Sequence, residues 1–233
     1  MNTIRRDPKG DVHSRHRRQD KKFYRDVDHG ITMQDFKAGD ILLVSSKSVI
    51  GTLIRQFSMV NGKAASVNHV GQVIKRKGHL CISEANFPTH DFTNLSSYLG
   101  AQRRGKCRLT LVRLKDECFK TETQKDHAMQ WMTGWHTSQE GHKYTVAGLL
   151  PMAFVSVLRN LTPFIRNRLK GIPVPRPEDL FVCSAIVDWG WFVGQTMAEM
   201  DYFPSSLSDV PRPQDILDSP HVRFIAGWQR SQI

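Results

Sequence analysis

The chain has 233 residues, with 33 Lys and Arg against 22 Asp and Glu, a formal net charge of +11, 39% hydrophobic and 24% charged residues. A chain of this length and apolar content can bury a real core as one ordinary domain, and its charge favours anionic partners: nucleic acid, acidic lipid, or an anionic polymer such as a bacterial cell wall. The sequence has no aromatic-rich basic motif of the RNA-binding kind and no zinc-finger spacing, which disfavours nucleic acid.

Residues 1 to about 35 are rich in Arg, Lys, His and Asp and poor in apolar periodicity, so they read as a basic, flexible arm. The opening "MNTIRRDPKGDVHSRHRRQDKK" lacks the apolar h-region of a secretory signal. The expectation is a cytoplasmic protein in the producing cell, with any export by a non-classical route. Order is expected from "FKAGDILLVSS", where Gly39-Asp40 is a turn signal and Ile41 to Val44 a short strand. "VIGTLIRQFSM" sets Ile50, Leu53, Ile54 and Phe57 at helical spacing. In "VNHVGQVIKRKGHLCISEA" two β-branched segments flank a basic turn with Gly78, which predicts a β-hairpin.

"TNLSSYL" reads as a short helix and "GKCRLTLVRL" as an alternating strand. Thr121 to Gln124 offers a capping box ahead of "KDHAMQWMTGWHTSQ", with Gly141 as the stop. The longest apolar run, Thr145 to Leu158, is broken by Pro151 and is shorter than the roughly 20 residues of a spanning helix. It predicts a buried helix. The basic stretch after it leaves room for peripheral membrane contact. A proline loop, "GIPVPRPE", precedes a helix from about 181 to 199, and "PQDILDSPHVRFIAGW" predicts one helical turn, a stop at Pro220 and a final strand. Strands cluster between 40 and 114 and helices mostly follow, which predicts an α+β fold with a small, largely antiparallel sheet.

Of the four cysteines, Cys81, Cys107, Cys118 and Cys183, none forms C-x-x-C, so a structural zinc site is not expected. Cys81 and Cys107 have the apolar neighbours of buried reduced thiols. Cys183 differs in where it sits. Pro175 and Pro177 end the preceding loop, Glu178 and Asp179 suit a first turn or cap, and Ile186, Val187, Trp191 and Gly194 follow at helix spacing. A thiol in a first helical turn is stabilised as the anion by unpaired backbone N–H groups; equally, a cysteine in an apolar segment is often plain core.

Cysteine catalysis also needs a base and a group that orients it. Among ten histidines, His13, His16 and His29 fall in the arm, and His127, His136 and His142 on or after a polar helix face. His69 opens the strand "HVGQVI", with Gly71 clearing space on the same face. If Arg76–Lys77 are the two turn residues, His69 lies opposite Glu84; if Lys77–Gly78 are, Glu84 lies opposite Gly71, diagonal to His69. Both registers set Glu84 and His69 on one face, together with Asn86, the alternative third member; a three-residue turn would flip Glu84 away.

The ordered segments "AGDILLVSS", "NHVGQVI", "ISEA", "GHKY", "FVCSAIV" and "PQDILDSPHVRFI" resemble the circularly permuted branch of the NlpC-type papain-like superfamily, with the closest look to its YiiX-type group and lecithin–retinol acyltransferase-like proteins more distant. The resemblance covers about residues 36 to 228. It implies a permuted papain-like catalytic domain over 36–230, with a nucleophile at a helix N-terminus and no metal or organic cofactor. By matching position, Cys183 would be the nucleophile, His69 the base and Glu84 the orienting residue. Tyr144 and Asp40 match supporting positions, and Ser184 is the helix-start neighbour. The chain departs from compact members in its basic arm and in a helical insert at about 145–176, both of which bear on substrate access.

The resemblance implies an amide hydrolase acting on bacterial cell-wall peptides. A type VI-like secreted antibacterial effector fits this, with a secretion adaptor and an immunity protein as expected partners. An acyltransferase or lipid- or thioester-processing enzyme with the same triad is the alternative, and a host-directed effector or non-enzymatic binding module the second.

Overall fold

The computed structural model describes residues 24–47, 65–86, 89–143, 183–198 and 213–232. Within them seven strands form one sheet: β1 (Tyr24–Asp28), β2 (Ile41–Ser46), β3 (His69–Arg76), β4 (His79–Asn86), β5 (Thr89–Asn94), β6 (Cys107–Leu114) and β7 (Val222–Gln232). Their spatial order is β1-β7-β6-β2-β3-β4-β5, and the neighbouring pairs are antiparallel. The described α-helices are α1 (Leu95–Arg103), α2 (Glu122–Ser138), α3 (Cys183–Met197) and the short α4 (Pro213–Leu217). The α+β class expected from the sequence is therefore the one the chain adopts.

Side-chain alternation divides the core in two. β2 is the central strand and is buried on both faces. Its Ile41 and Leu43 pack with Ala128 and Met132 of α2 and Ile186, Val187 and Trp191 of α3. Its Leu42 and Val44 pack with Leu95 and Leu99 of α1 and with Leu109 and Leu111 of β6. Each such side chain contributes on the order of 1.5–3 kcal/mol by leaving water, so β2 ties both layers to one sheet. Asp40, just before β2, anchors this strand. Its buried carboxylate accepts from Arg113 Nε at 2.5 Å and Nη2 at 2.9 Å, and from the Lys37 N–H at 2.7 Å.

The β3–β4 hairpin takes the register with Lys77 and Gly78 in the turn. Arg76 pairs with His79, and both turn residues have positive φ, 48° and 83°. That is the turn geometry whose twist matches the flanking strands, and glycine accepts it without steric cost.

Some expectations need correction. The arm expected to run to about 35 gives way earlier, because Tyr24–Asp28 pairs with β7, from Tyr24↔Gln232 to Asp28↔Trp228. Met33–Asp35 then forms a 3-10 turn closed by Asp35, whose carboxylate accepts from the Thr32 N–H and hydroxyl. Edge pairing of this kind is made by backbone groups, so it leaves little apolar pattern. The sheet is also larger than expected, since β1 and β5 both add to it. His136 does not lie on a polar helix face: it is fully buried, on the inner stripe Ala128, Met132, His136 of α2. α2 itself is capped by Thr121, whose hydroxyl accepts from the Gln124 N–H at 3.1 Å. Gln124 returns its side chain to the Lys120 N–H at 2.8 Å, not to that of Thr121. The predicted helix at 50–57, the insert at 145–176, the proline loop and Tyr144 lie outside the described residues, as does the arm up to residue 23.

Candidate active site

β3 begins at His69, which pairs with Val44 of β2. Alternation sends Val70 and Ile74 toward the α2–α3 layer, where they join its apolar cluster. It sends Val73 toward the α1 layer, together with Ile82 of β4. Glu84 shares the face of Ile82, and one further step of the observed register sets it opposite Gly71. A Cβ on Gly71 would overlap the Ile82 side chain and press on the Glu84 Cβ at 3.3 Å. The glycine thus gives the carboxylate its room.

Glu84 is fully buried, and its Oε2 lies 2.5 Å from His69 Nε2. The His69 side chain keeps 20% of its surface exposed, so the pair reaches solvent at the imidazole. Cys183 lies close enough to the ring for the charges of the two groups to act on each other. Cys183 is the first residue of α3. The nearby backbone N–H groups of Val70 and Ser184 also favour its ionised form. The three side chains come from three elements and meet at the start of β3, where the α3 layer meets the residues that face α1.

The electrostatics follow from these contacts. Burial pushes the Cys183 thiol up, but the charge and hydrogen bond of His69, with the two backbone N–H groups, outweigh it and hold the thiol below its usual range. Burial pulls His69 down, and the Cys183 charge and hydrogen bond, with those of Glu84, overcome this and push it up to about 10. Burial likewise raises Glu84, yet its bonds with His69 and Tyr98, both at Oε2, and the His69 charge leave it below the ordinary carboxylate value. These directions favour charge on His69 and on the Cys183 sulfur, with the Glu84 carboxylate behind the ring. The other three thiols behave oppositely: burial pushes Cys81, Cys107 and Cys118 up.

The remaining sequence candidates fall in different places. Asn86 is exposed at the end of β4, and Glu84 is the residue that meets the ring. Asp40 is committed to Arg113 and the turn before β2. Ser184 is buried, and its backbone N–H favours the ionised form of the neighbouring Cys183. Among the described residues, no group of three or more His, Cys, Asp or Glu side chains is gathered as a metal site.

Two features escaped the sequence reading. Tyr98 of α1 donates its hydroxyl to Glu84 Oε2. Its spacing from Leu95 and Leu99, both buried, is the available signal, since i, i+3 and i+4 share a helix face. The second is a buried polar cluster on the α2–α3 side of β4. Ser83 Oγ lies 2.8 Å from His90 Nε2 and 2.8 Å from His136 Nδ1. Burial, then the neighbouring His90, holds His136 well below the usual histidine value, and burial lowers His90 as well. Gly190 of α3 makes room for the His136 ring.

No protein-family model matches the sequence, and no curated protein matches it. Among solved structures, the chain is similar to the metalloprotein yiiX from Escherichia coli O157:H7. The likeness covers 82% of this chain and 96% of that one, at 15% sequence identity and a TM-score of 0.48.

Proposed function

We propose that the protein is a cysteine-dependent amide hydrolase that works through an acyl-enzyme, with Cys183 as nucleophile, His69 as general base and acid, and Glu84 as the orienting residue. The observation that carries this reading is the 2.5 Å bond between the His69 ring and the buried Glu84 carboxylate, beside a helix-start Cys183 close enough for its charge and that of His69 to act on each other. A nucleophile, a base and an orienter in that order are the working parts of the triad.

In this mechanism the thiolate attacks a carbonyl carbon and a tetrahedral oxyanion forms. Backbone N–H groups at the start of α3 would stabilise it. The C–N bond then breaks as the His69 imidazolium gives its proton to the leaving amine. A water next loses a proton to neutral His69 and attacks the thioester. The carboxylic acid leaves, and the thiolate and imidazolium are restored. Glu84 remains ionised throughout and keeps the ring aligned.

For the substrate class we propose peptide amides of a bacterial cell wall. Two things support it: the net charge of +11, which suits an anionic polymer, and the resemblance of the ordered sequence segments to NlpC-type proteins. The setting proposed with it is an antibacterial effector of a type VI-like route, with an adaptor and an immunity protein as partners. Incubation of purified protein with peptidoglycan, followed by mass spectrometry, tests the substrate. New fragments from the wild type and none from Cys183→Ala are expected. Intact muropeptides with a folded wild-type enzyme would reject the wall as substrate. Acyl transfer to an added amine or lipid, in place of a new carboxylate, would select the acyltransferase alternative.

A further inference from the structure

Glu84 is fully buried, so its charge depends on the donors around it. His69 supplies one hydrogen bond to Oε2. The Tyr98 hydroxyl supplies another, to the same oxygen, from a helix on the α1 side. Leu95 and Leu99, one turn apart and both buried, fix α1 against the sheet, so the phenol is aimed by packing. Each residue of this relay therefore comes from a different element: Cys183 from α3, His69 from β3, Glu84 from β4 and Tyr98 from α1.

We propose that Tyr98 is a positioning residue of the site: its hydroxyl, donated to the Glu84 oxygen that meets His69, holds the carboxylate in place and keeps the shared proton on the imidazole. The proposal rests on the triad reading above. The physical reason is competition for one proton. A buried carboxylate with few donors has a high proton affinity, and each donor it accepts lowers that affinity. Without the Tyr98 hydroxyl, the proton between His69 Nε2 and Glu84 moves toward the carboxylate. The ring then faces Cys183 as a neutral group, and the thiolate loses its counter-charge. Consistent with this, Tyr98 acts to lower Glu84, and the Glu84 charge, after burial, raises the Tyr98 phenol.

The test is the pH dependence of iodoacetamide alkylation at Cys183, followed by peptide mass spectrometry so that the other three thiols do not contribute. Tyr98→Phe removes only the hydroxyl. It is expected to slow Cys183 alkylation at pH 6 about tenfold, the scale of one charge-assisted hydrogen bond, and to move the profile toward that of an ordinary thiol. A profile equal to wild type would overturn the proposal. In a Glu84→Gln background the hydroxyl has no carboxylate to act on, so adding Tyr98→Phe is expected to change nothing; an equal slowing there would also overturn it. Should Tyr98→Phe fail to fold, a fluorotyrosine placed at position 98 gives a more acidic, stronger donor and is expected to shift the profile the opposite way, with an unchanged profile counting against the role. A wild-type protein whose Cys183 already alkylates like a free thiol would instead reject the triad reading itself, which separates the two failures.

Discussion

At the residue scale, the site depends on small choices that release space or donate one hydrogen bond. Gly71 is the sharpest of these. Its missing Cβ leaves room for Ile82 and for the Glu84 stem, and the neighbouring strands allow no easy retreat, because Ile82 is fully buried. Gly71→Ala is therefore expected to overpack the β3–β4 pair and cost about 1–3 kcal/mol of stability. Alanine's lower backbone entropy works in the other direction, by roughly 0.5–1 kcal/mol, and does not cancel that cost. Urea titration measures the difference; a variant as stable as wild type would show that the strands yield freely at this point. Gly190 makes the same kind of provision on α3, where a Cβ would run into the His136 ring.

At the scale of elements, the sequence was most readable where side chains alternate or repeat with a clear period. The strand at Ile41, the hairpin, the strand from Cys107, the helix opened by Thr121 and the Cys183 helix were all expected, and each appears among the described residues. Of the two hairpin registers left open, the turn decided: Gly78 and Lys77 at positive φ select the pairing that sets Glu84 beside Gly71. β1 and β5 were not legible, because they are edge strands, and strand pairing itself is made by backbone groups that leave no mark in the sequence. In β5 only His90 is buried, so no apolar alternation marks the strand. His136 was misread for a related reason. A histidine among polar neighbours looks solvated until the opposite helix is known; here Gly190 and Gly194 of α3 leave room for the His136 ring and the α2 backbone. Tyr98 needed the same third dimension: its helix was expected, but its carboxylate partner belongs to another strand.

At the scale of the whole molecule, one sheet holds two layers, and the candidate site lies where they meet, at the start of β3. Its buried titratable groups couple the fold to pH. In the unfolded chain a histidine takes up a proton near pH 6.5, whereas burial keeps the folded pKa of His136 well below that and lowers His90 also. The unfolded state therefore binds more protons as the pH drops. The stability these neutral histidines contribute is complete above about pH 6.5 and is lost progressively below it. Thermal unfolding from pH 8 to pH 5 should show the midpoint falling on the acid side of about 6.5, with the fall reduced in His136→Asn; a flat midpoint in the wild type would contradict the neutral, buried assignment.

The central claim is that Cys183 and His69 exist as a thiolate–imidazolium pair. Its most direct test is the rate of Cys183 alkylation as a function of pH in the wild type and in His69→Ala. Because the thiol lies below its usual range and His69 is pushed up to about 10, the wild type is expected to be alkylated already at mildly acidic pH, well before a free thiol of pKa about 8.5 ionises. The His69→Ala protein is expected to lose that early reactivity and to rise only in the ordinary thiol range or above it. Identical profiles for the two proteins, or a wild-type profile that follows a free thiol, would contradict the account.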